Sequence, residues 1–399
     1  MSEKLGVYAK LGELQNRYYE ELFEAASDKR PVAWITSMAP IEVLYAMDVF
    51  PVMPENYAAL CASRRLGAEL CEAAQALGYS GDLCSYAKNT FGSMAKGIGP
   101  FDGKGLPKPD LLIATGSACS THIKWFEAMS RHYEVPLLMV DAVYSVDGDL
   151  KRHHLDYFVN QLEAHVEEIS QHTGHPFDMD RLKEVVAISD RTSELWYEFS
   201  RLRGQVPTPV GAIDVFTMMF PLVTLCGKPE AVTFYEELVD EVSQRVERGI
   251  GVVPEERVRL MWDIFPIWYN LKLFLHFESK GAVFVTDLYA DAFAGRLDAS
   301  KPFESLAERY LNDFLRSGVK TKFEIYRKRA VDYKVQGAVF HSNRCCRYFT
   351  MGQLDVAQLL RDDLNLPCLF LDADMADPRV YDDARVKAKI DAFLEMFEG

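Results

Sequence analysis

Apolar residues recur at helical spacing in some stretches of the chain and in short unbroken runs in others. Tyr8, Leu11, Leu14, Tyr18, Leu22 and Ala25 share one face of residues 8–28, which predicts an amphipathic helix. The run Pro-Val-Ala-Trp-Ile-Thr (31–36) reads as a buried strand ending at Ser37. Pro40 suits the first turn of a helix carrying Ile41, Leu44, Tyr45 and Met47. A second short strand is expected at 49–53, then a turn Pro54-Glu55-Asn56 and a helix over 57–78 closed by Gly78. Cys84 opens the next helical segment, 85–95, and the glycine- and proline-rich stretch 97–109 reads as loop.

Two strand–helix units follow. Leu111–Thr115 is a strand, Gly116–Ser120 turns into a helix over 121–133, and Leu137–Asp141 is another strand. Residues 148–248 are mostly helical by period, for example Asp156–Ser170 and Glu230–Arg248, and read as an insertion or cap. The second half repeats the alternation, with strands at 258–264, 281–286, 337–341 and 368–372 and helices at 303–316, 320–333 and 351–363. Alternating strands and helices imply parallel sheets covered on both faces. The expected fold class is α/β, with two open, mostly parallel (Rossmann-like) units and a helical region between them. The corresponding division is an N-terminal α/β domain with its leading helix (1–147), a mainly helical region (148–250) and a C-terminal α/β domain (251–399).

A length of 399 residues allows two or three well-buried cores. The formal net charge of −15 argues against a nucleic-acid partner, which needs a basic face. The first residues lack the apolar core of a signal peptide, and no stretch approaches the roughly 18 uninterrupted apolar residues of a membrane span. The expected location is the cytoplasm, away from membranes.

In that setting the eight cysteines are not a disulfide framework. Cys61, Cys71, Cys226 and Cys368 read as small buried hydrophobes. Cys84, Cys119, Cys345 and Cys346 differ, because polar, turn-forming neighbours surround them. Cys119 and Cys346 each follow a strand-like run, where an open α/β sheet presents its ligand-binding ends. Cys84 precedes a helix, whose N-terminus favours a thiolate. Three soft thiolates meeting in the interdomain cleft would hold an iron–sulfur cluster by three corners and leave one iron free for a substrate oxygen. Ser37, at the end of the first strand, and Glu55, at the end of the second, are candidates for orienting a substrate and removing a proton. Their bland alternatives are a helix cap and a solvated turn residue.

Other chemistries lack their residues. There is no Walker A motif, no Gly-x-Gly-x-x-Gly after a strand, no Cys-x-x-Cys pair and no Gly-x-Ser-x-Gly elbow. His153-His154 reads as part of a solvated face.

Several segments carry a wider resemblance. They are Met53-Pro54-Glu55-Asn56, the run from Gly78 to Ala87 (Gly-Tyr-Ser-Gly-Asp-Leu-Cys-Ser-Tyr-Ala), Lys124-Trp125-Phe126-Glu127 and Ile267-Trp268-Tyr269. His341-Ser342-Asn343-Arg344-Cys345-Cys346, Gly352-Gln353 and the run from Asp372 to Arg379 complete the set. In this order and spacing the chain resembles the 2-hydroxyacyl-CoA dehydratase and benzoyl-CoA reductase family from about residue 30 to the C-terminus. The resemblance implies the subunit that binds acyl-CoA at a [4Fe-4S] cluster held by Cys84, Cys119 and Cys346. Many members have Ser-Cys where this chain has Cys345-Cys346, so Cys345 is a further candidate ligand. The resemblance also implies a related second subunit carrying its own cluster in a heterodimer. A separate ATP-dependent iron–sulfur activator would supply the first electron.

In the family's dehydratases one electron on the thioester carbonyl gives a ketyl radical that expels the neighbouring hydroxide. A carboxylate then removes the acidified β-proton. Ser37 and Glu55 match the serine and glutamate of that site. The leading expectation is therefore a lyase that converts an (R)-2-hydroxyacyl-CoA to the (E)-2-enoyl-CoA. The alternatives are a benzoyl-CoA reductase-type subunit, a non-catalytic iron–sulfur electron-transfer protein with four cysteine ligands including Cys345, and a metal-free α/β protein. The helical region is expected to shape the pocket for the acyl group.

Overall fold

The computed structural model describes residues 4–116, 119–144, 150–312 and 317–398. The first half runs Tyr8–Ser27 (α1), Val32–Ile35 (β1), Ile41–Ala46 (α2), Phe50–Val52 (β2), Pro54–Ser63 (α3), Gly67–Ala76 (α4), Ser85–Lys96 (α5), Leu111–Thr115 (β3), Ser120–Tyr133 (α6) and Leu137–Val140 (β4). A helical stretch follows: Arg152–Thr173 (α7), Met179–Leu202 (α8), Ala212–Met218 (α9), Phe220–Thr224 (α10) and Pro229–Glu247 (α11). The second half runs Val258–Asp263 (β5), Leu273–Glu278 (α12), Ala282–Asp287 (β6), Pro302–Leu311 (α13), Val319–Asp332 (α14), Gly337–Asn343 (β7), Arg347–Thr350 (α15), Gln353–Leu364 (α16), Cys368–Ala373 (β8) and Asp383–Leu394 (α17).

The strands form two four-stranded parallel sheets, ordered β2-β1-β3-β4 and β6-β5-β7-β8. The second order repeats the first. In each, the chain moves outward from the first strand and then returns to its other side. That reversal opens a crevice at the carboxyl ends of the two central strands, β1 and β3 in one sheet and β5 and β7 in the other. The central strands are buried on both faces, which is why Val-Ala-Trp-Ile, Leu-Leu-Ile-Ala-Thr and Val-Arg-Leu-Met-Trp-Asp read as near-continuous apolar runs rather than alternating ones.

The structure corrects two expectations about local elements. Pro54-Glu55-Asn56 is not a free turn but the first turn of α3, with Pro54 at the position where a missing N–H costs nothing. The helix expected over 57–78 is two helices, α3 and α4, broken at Arg65 (φ 68°). At Gly67 the backbone comes so close to the C-terminal half that a Cβ would lie 2.1 Å from the Ala376 carbonyl oxygen. The helix expected over 351–363 is observed as α16, preceded by Gly352 at φ 88°, and the short α15 before it was not expected. Residues 313–316 of the helix expected over 303–316, residues 117–118 of the turn before α6, and the 147/148 boundary lie outside the described residues.

A buried polar network ties the three regions together. Glu42 of α2 is fully buried and accepts hydrogen bonds from Arg309 Nη1 (2.6 Å), Ser189 Oγ (2.7 Å) and the Tyr310 hydroxyl (2.9 Å). Ser189 lies in α8, and Arg309 and Tyr310 lie in α13. The Ser189 hydroxyl also meets Cys226 Sγ at 2.9 Å, and Arg309 Nη2 donates to the Phe293 carbonyl at 2.7 Å. Removing one member of such a pair leaves a desolvated charge without its partner. We expect Arg309→Met to cost about 3 kcal/mol of stability, read as a lower thermal midpoint.

A second buried carboxyl gives the fold a pH dependence. Asp263, at the end of β5, is pushed up to about 7 by burial, while the hydrogen bond from Gln353 works the other way. An unfolded aspartate titrates near about 4, so between there and about pH 7 the folded chain holds a proton that the unfolded chain has lost. This contribution to stability therefore falls as pH rises through that window. Asp263→Asn is expected to abolish this part of the slope, measured as urea midpoints at about pH 5 and about pH 8.

Candidate active site

The four cysteines singled out by their neighbours come together from both halves of the chain. Cys84, Cys119 and Cys346 are each the residue just before a helix, α5, α6 and α15 respectively. Cys119 follows β3 and Cys346 follows β7, so both project from the carboxyl ends of central strands. Cys345 Sγ accepts a hydrogen bond from the Ser85 N–H at 3.3 Å, which joins the loop after β7 to the start of α5.

The titration behaviour gives the rest of the arrangement. Cys345 is raised well above an ordinary thiol, first by a hydrogen bond with the Cys84 side chain and then by burial. Cys346 is raised by burial and then by its neighbour Cys119, while N–H groups of Tyr348 and Phe349 aimed at its sulfur work in the opposite direction. Cys84 is thus paired with Cys345, and Cys119 with Cys346. Among the described residues, no three His, Cys, Asp or Glu side chains gather closely enough to hold a single metal ion. A cluster makes a different demand, because its ligand sulfurs sit on separate corners. Thiols from three helix starts, with backbone N–H groups directed at the sulfur of Cys346, fit that donor set. The raised titration of Cys346 means that its deprotonation would accompany binding.

The other four cysteines behave as expected of small hydrophobes, except that Cys368 is half-buried rather than buried. Burial raises Cys61 to about 12 and Cys368 to about 11.

Ser37 and Glu55 are also brought together. Ser37 follows β1, and its N–H donates to Glu55 Oε1 at 3.0 Å. Neither bland alternative holds. The residue before α2 is Pro40, not Ser37, and Glu55 is buried rather than solvated. The structure adds a residue that the sequence pattern did not single out. His122, in the first turn of α6, places Nε2 3.1 Å from the same Glu55 oxygen. Glu55 Oε2 and His122 Nδ1 are buried without a hydrogen-bond partner. Its signal in the sequence is only its position, three residues after Cys119, which returns it to the N-terminal face of that helix.

Ser37 and Glu55 line a cavity of about 200 Å³. Asn56, Ala59 and Leu60 of α3 form one side of it, and Phe216, Thr217, Met219, Phe220 and Val223 from the helical region form another. Trp268, Tyr289 and Phe293 close it from the C-terminal half. The Trp268 indole donates to the Tyr86 hydroxyl at 2.5 Å, and Tyr86 follows Cys84 by two residues. The Tyr86 and Tyr289 hydroxyls are hydrogen-bonded to each other. Tyr289 is raised chiefly by burial and also feels Glu55 and Cys346. The two tyrosines thus connect the wall of the cavity to the cysteine group, with Glu55 on the cavity side.

The sequence also matches known proteins. Residues 36–397 match the family model described as 2-hydroxyglutaryl-CoA dehydratase, D-component. The chain belongs to this family. It is an enzyme of the dehydratase type, a lyase. Over its whole length it is 30% identical to the (R)-2-hydroxyisocaproyl-CoA dehydratase alpha subunit of Clostridioides difficile, covering 98% of that protein. It is 26% identical to the (R)-phenyllactyl-CoA dehydratase alpha subunit of Clostridium sporogenes over 94% of this chain and 91% of the relative. A benzoyl-CoA reductase polypeptide of Thauera aromatica is 28% identical over 90% of this chain and 86% of the relative. Two family relatives are thus named as alpha subunits of dehydratases and one as part of a reductase. No helix of the described residues is long and apolar enough to cross a membrane.

Proposed function

We propose that this chain is the acyl-CoA-binding iron–sulfur subunit of an (R)-2-hydroxyacyl-CoA dehydratase, which eliminates water to the (E)-2-enoyl-CoA by way of a substrate ketyl radical. The observation that carries the reading is the Glu55 carboxylate. It lines the cavity, one oxygen is fixed by Ser37 and His122, and the other is buried and bare. Dehydration needs such a base for the β-proton. Reduction of an aromatic ring has no β-proton to remove.

Cys84, Cys119 and Cys346 are the residues that would hold a [4Fe-4S] cluster. Bound there, the cluster would supply single-electron chemistry and a Lewis-acid iron for the thioester oxygen. Cys345, hydrogen-bonded to Asn343 and beside Cys84, is read as a neighbour of the site rather than a ligand.

The remaining roles belong to side chains of the cavity. The apolar wall excludes water and so raises the reactivity of the one buried carboxylate. The Ser37 N–H and His122 Nε2 hold Glu55 Oε1, which leaves Oε2 for the substrate. Once hydroxide has departed from C2, Oε2 takes the acidified proton from C3, and the electron added at the start is returned. The Ser37 hydroxyl, at the carboxyl end of β1, is placed to orient the substrate.

The reading includes a related second subunit with its own cluster and a separate ATP-dependent iron–sulfur activator as electron source, both in the cytoplasm. The relatives' designation as alpha subunits supports the first of these. The test is anaerobic incubation of the assembled complex with activator, ATP and reductant, offering a 2-hydroxyacyl-CoA or benzoyl-CoA. Formation of the enoyl-CoA from the first is expected. Ring reduction of the second without any dehydration would overturn the assignment.

A further inference from the structure

The cavity beside Glu55 also specifies a kind of acyl group, an inference that rests on the dehydratase reading above. We infer that the preferred substrate carries a bulky, uncharged apolar side chain of aromatic or branched aliphatic type, and that a side chain ending in a second carboxylate is rejected.

Three observations lead there. First, Phe216, Met219, Phe220, Val223, Trp268 and Phe293 all line the same space, and five of the six are buried, with only Trp268 partly exposed. Phe216 and Trp268 meet edge to face with ring centroids 6.4 Å apart, a geometry to which a further ring adds well. Second, the buried charge on the lining is Glu55, which is negative. Among the described residues that line the cavity the one cation is Arg64, exposed at the far end of α3. It lies nine positions along from Glu55, roughly 13 Å of helical rise. A distal carboxylate would be desolvated among aromatic rings and repelled by Glu55, without a buried partner. Third, the cavity of about 200 Å³ is far larger than a methyl group needs. A small side chain would leave much of the apolar lining uncovered.

The six side chains named first come from α9, α10 and the turn between them, together with the segments after β5 and β6. The helices carry no cysteine or carboxylate of the reacting group, so the acyl side chain is read by elements separate from the chemistry.

Binding tests this without requiring turnover. Phenylpropanoyl-CoA, isocaproyl-CoA, propanoyl-CoA and glutaryl-CoA differ in the side chain but share the CoA moiety. Titrated calorimetrically into the assembled anaerobic complex, the first two should bind at least about tenfold more tightly than either of the others. Equal affinities, or tightest binding of glutaryl-CoA, would overturn the inference. Val223→Phe, which fills the cavity, should weaken the two bulky ligands by about tenfold and propanoyl-CoA by less than about twofold. An equal loss for all of them would show that the side chain sits elsewhere. In turnover, a preference for the 2-hydroxyglutaryl thioester over the phenyllactyl thioester overturns the specificity and leaves the dehydratase reading standing. Absence of dehydration with every thioester, while the binding order holds, overturns the dehydratase reading and leaves the apolar preference standing.

Discussion

Cys346→Ser is expected to leave a folded chain that no longer retains its iron and sulfide, with dehydration at least about a thousandfold lower, roughly 4 kcal/mol of barrier. Cys346 is buried at the end of β7, its titration is raised by burial and by Cys119, and the N–H groups of Tyr348 and Phe349 are aimed at it. A hydroxyl at that position keeps the volume and accepts the same N–H groups, so little stability is lost. It is a hard donor, however, and a poor replacement for a soft thiolate on iron. The neighbouring thiols give the contrast. Cys345→Ser should retain iron, because Cys345 is hydrogen-bonded to Cys84 and Asn343 and the other three thiols remain. Cys368→Ala, on β8, should also retain it. Iron and sulfide analysis after anaerobic reconstitution checks all three. Loss of iron from the Cys345 variant and its retention in the Cys346 variant would exchange their roles.

Glu55→Gln is expected to lower kcat by about a thousandfold while changing KM little. The amide occupies the same space and still accepts the Ser37 N–H, which lies 3.0 Å from Oε1 in the parent. What it cannot do is take a proton. The loss should therefore fall on the chemical step. A primary isotope effect from deuterium at C3 of the substrate should grow in the variant, as proton removal becomes rate-limiting. His122→Asn should cost less, about tenfold, because Glu55 keeps its bond to Ser37 and loses only its second anchor. A Glu55→Gln variant with unchanged kcat would place the base elsewhere.

Much of the architecture could be read from the pattern of residues because parallel, doubly covered strands leave a strong trace. Leu111–Thr115 is observed with the bounds expected of it, and the strands at 31–36, 258–264 and 368–372 differ from the observed ones by one or two residues at their ends. The errors have local causes. Helix 57–78 looked continuous because Arg64 and Arg65 are good helix formers, whereas the break is imposed by contact of Gly67 with the backbone at Ala376. Glu55 looked like a turn residue because proline followed by polar residues signals a turn as readily as a helix start.

The site was partly readable for the same reason. Ser37, Cys119 and Cys346 follow strands, and strand ends are where open sheets place their chemistry. His122 and Tyr289 were not readable, because their roles depend on which side chains from distant segments meet them: Glu55 in one case, and Glu55, Tyr86 and Cys346 in the other. The pocket walls in α9 and α10 were foreseen as a region but not as residues, since an apolar helix face gives no sign of whether it covers a core or a ligand.

The most direct measurement is electron paramagnetic resonance of the anaerobically reconstituted, reduced chain, recorded with and without an acyl-CoA, together with its iron content. A cluster held by three thiols predicts about four irons per chain and a spectrum that changes when the thioester is added. Absence of iron and sulfide, or a full cluster whose spectrum is indifferent to the thioester, would contradict it.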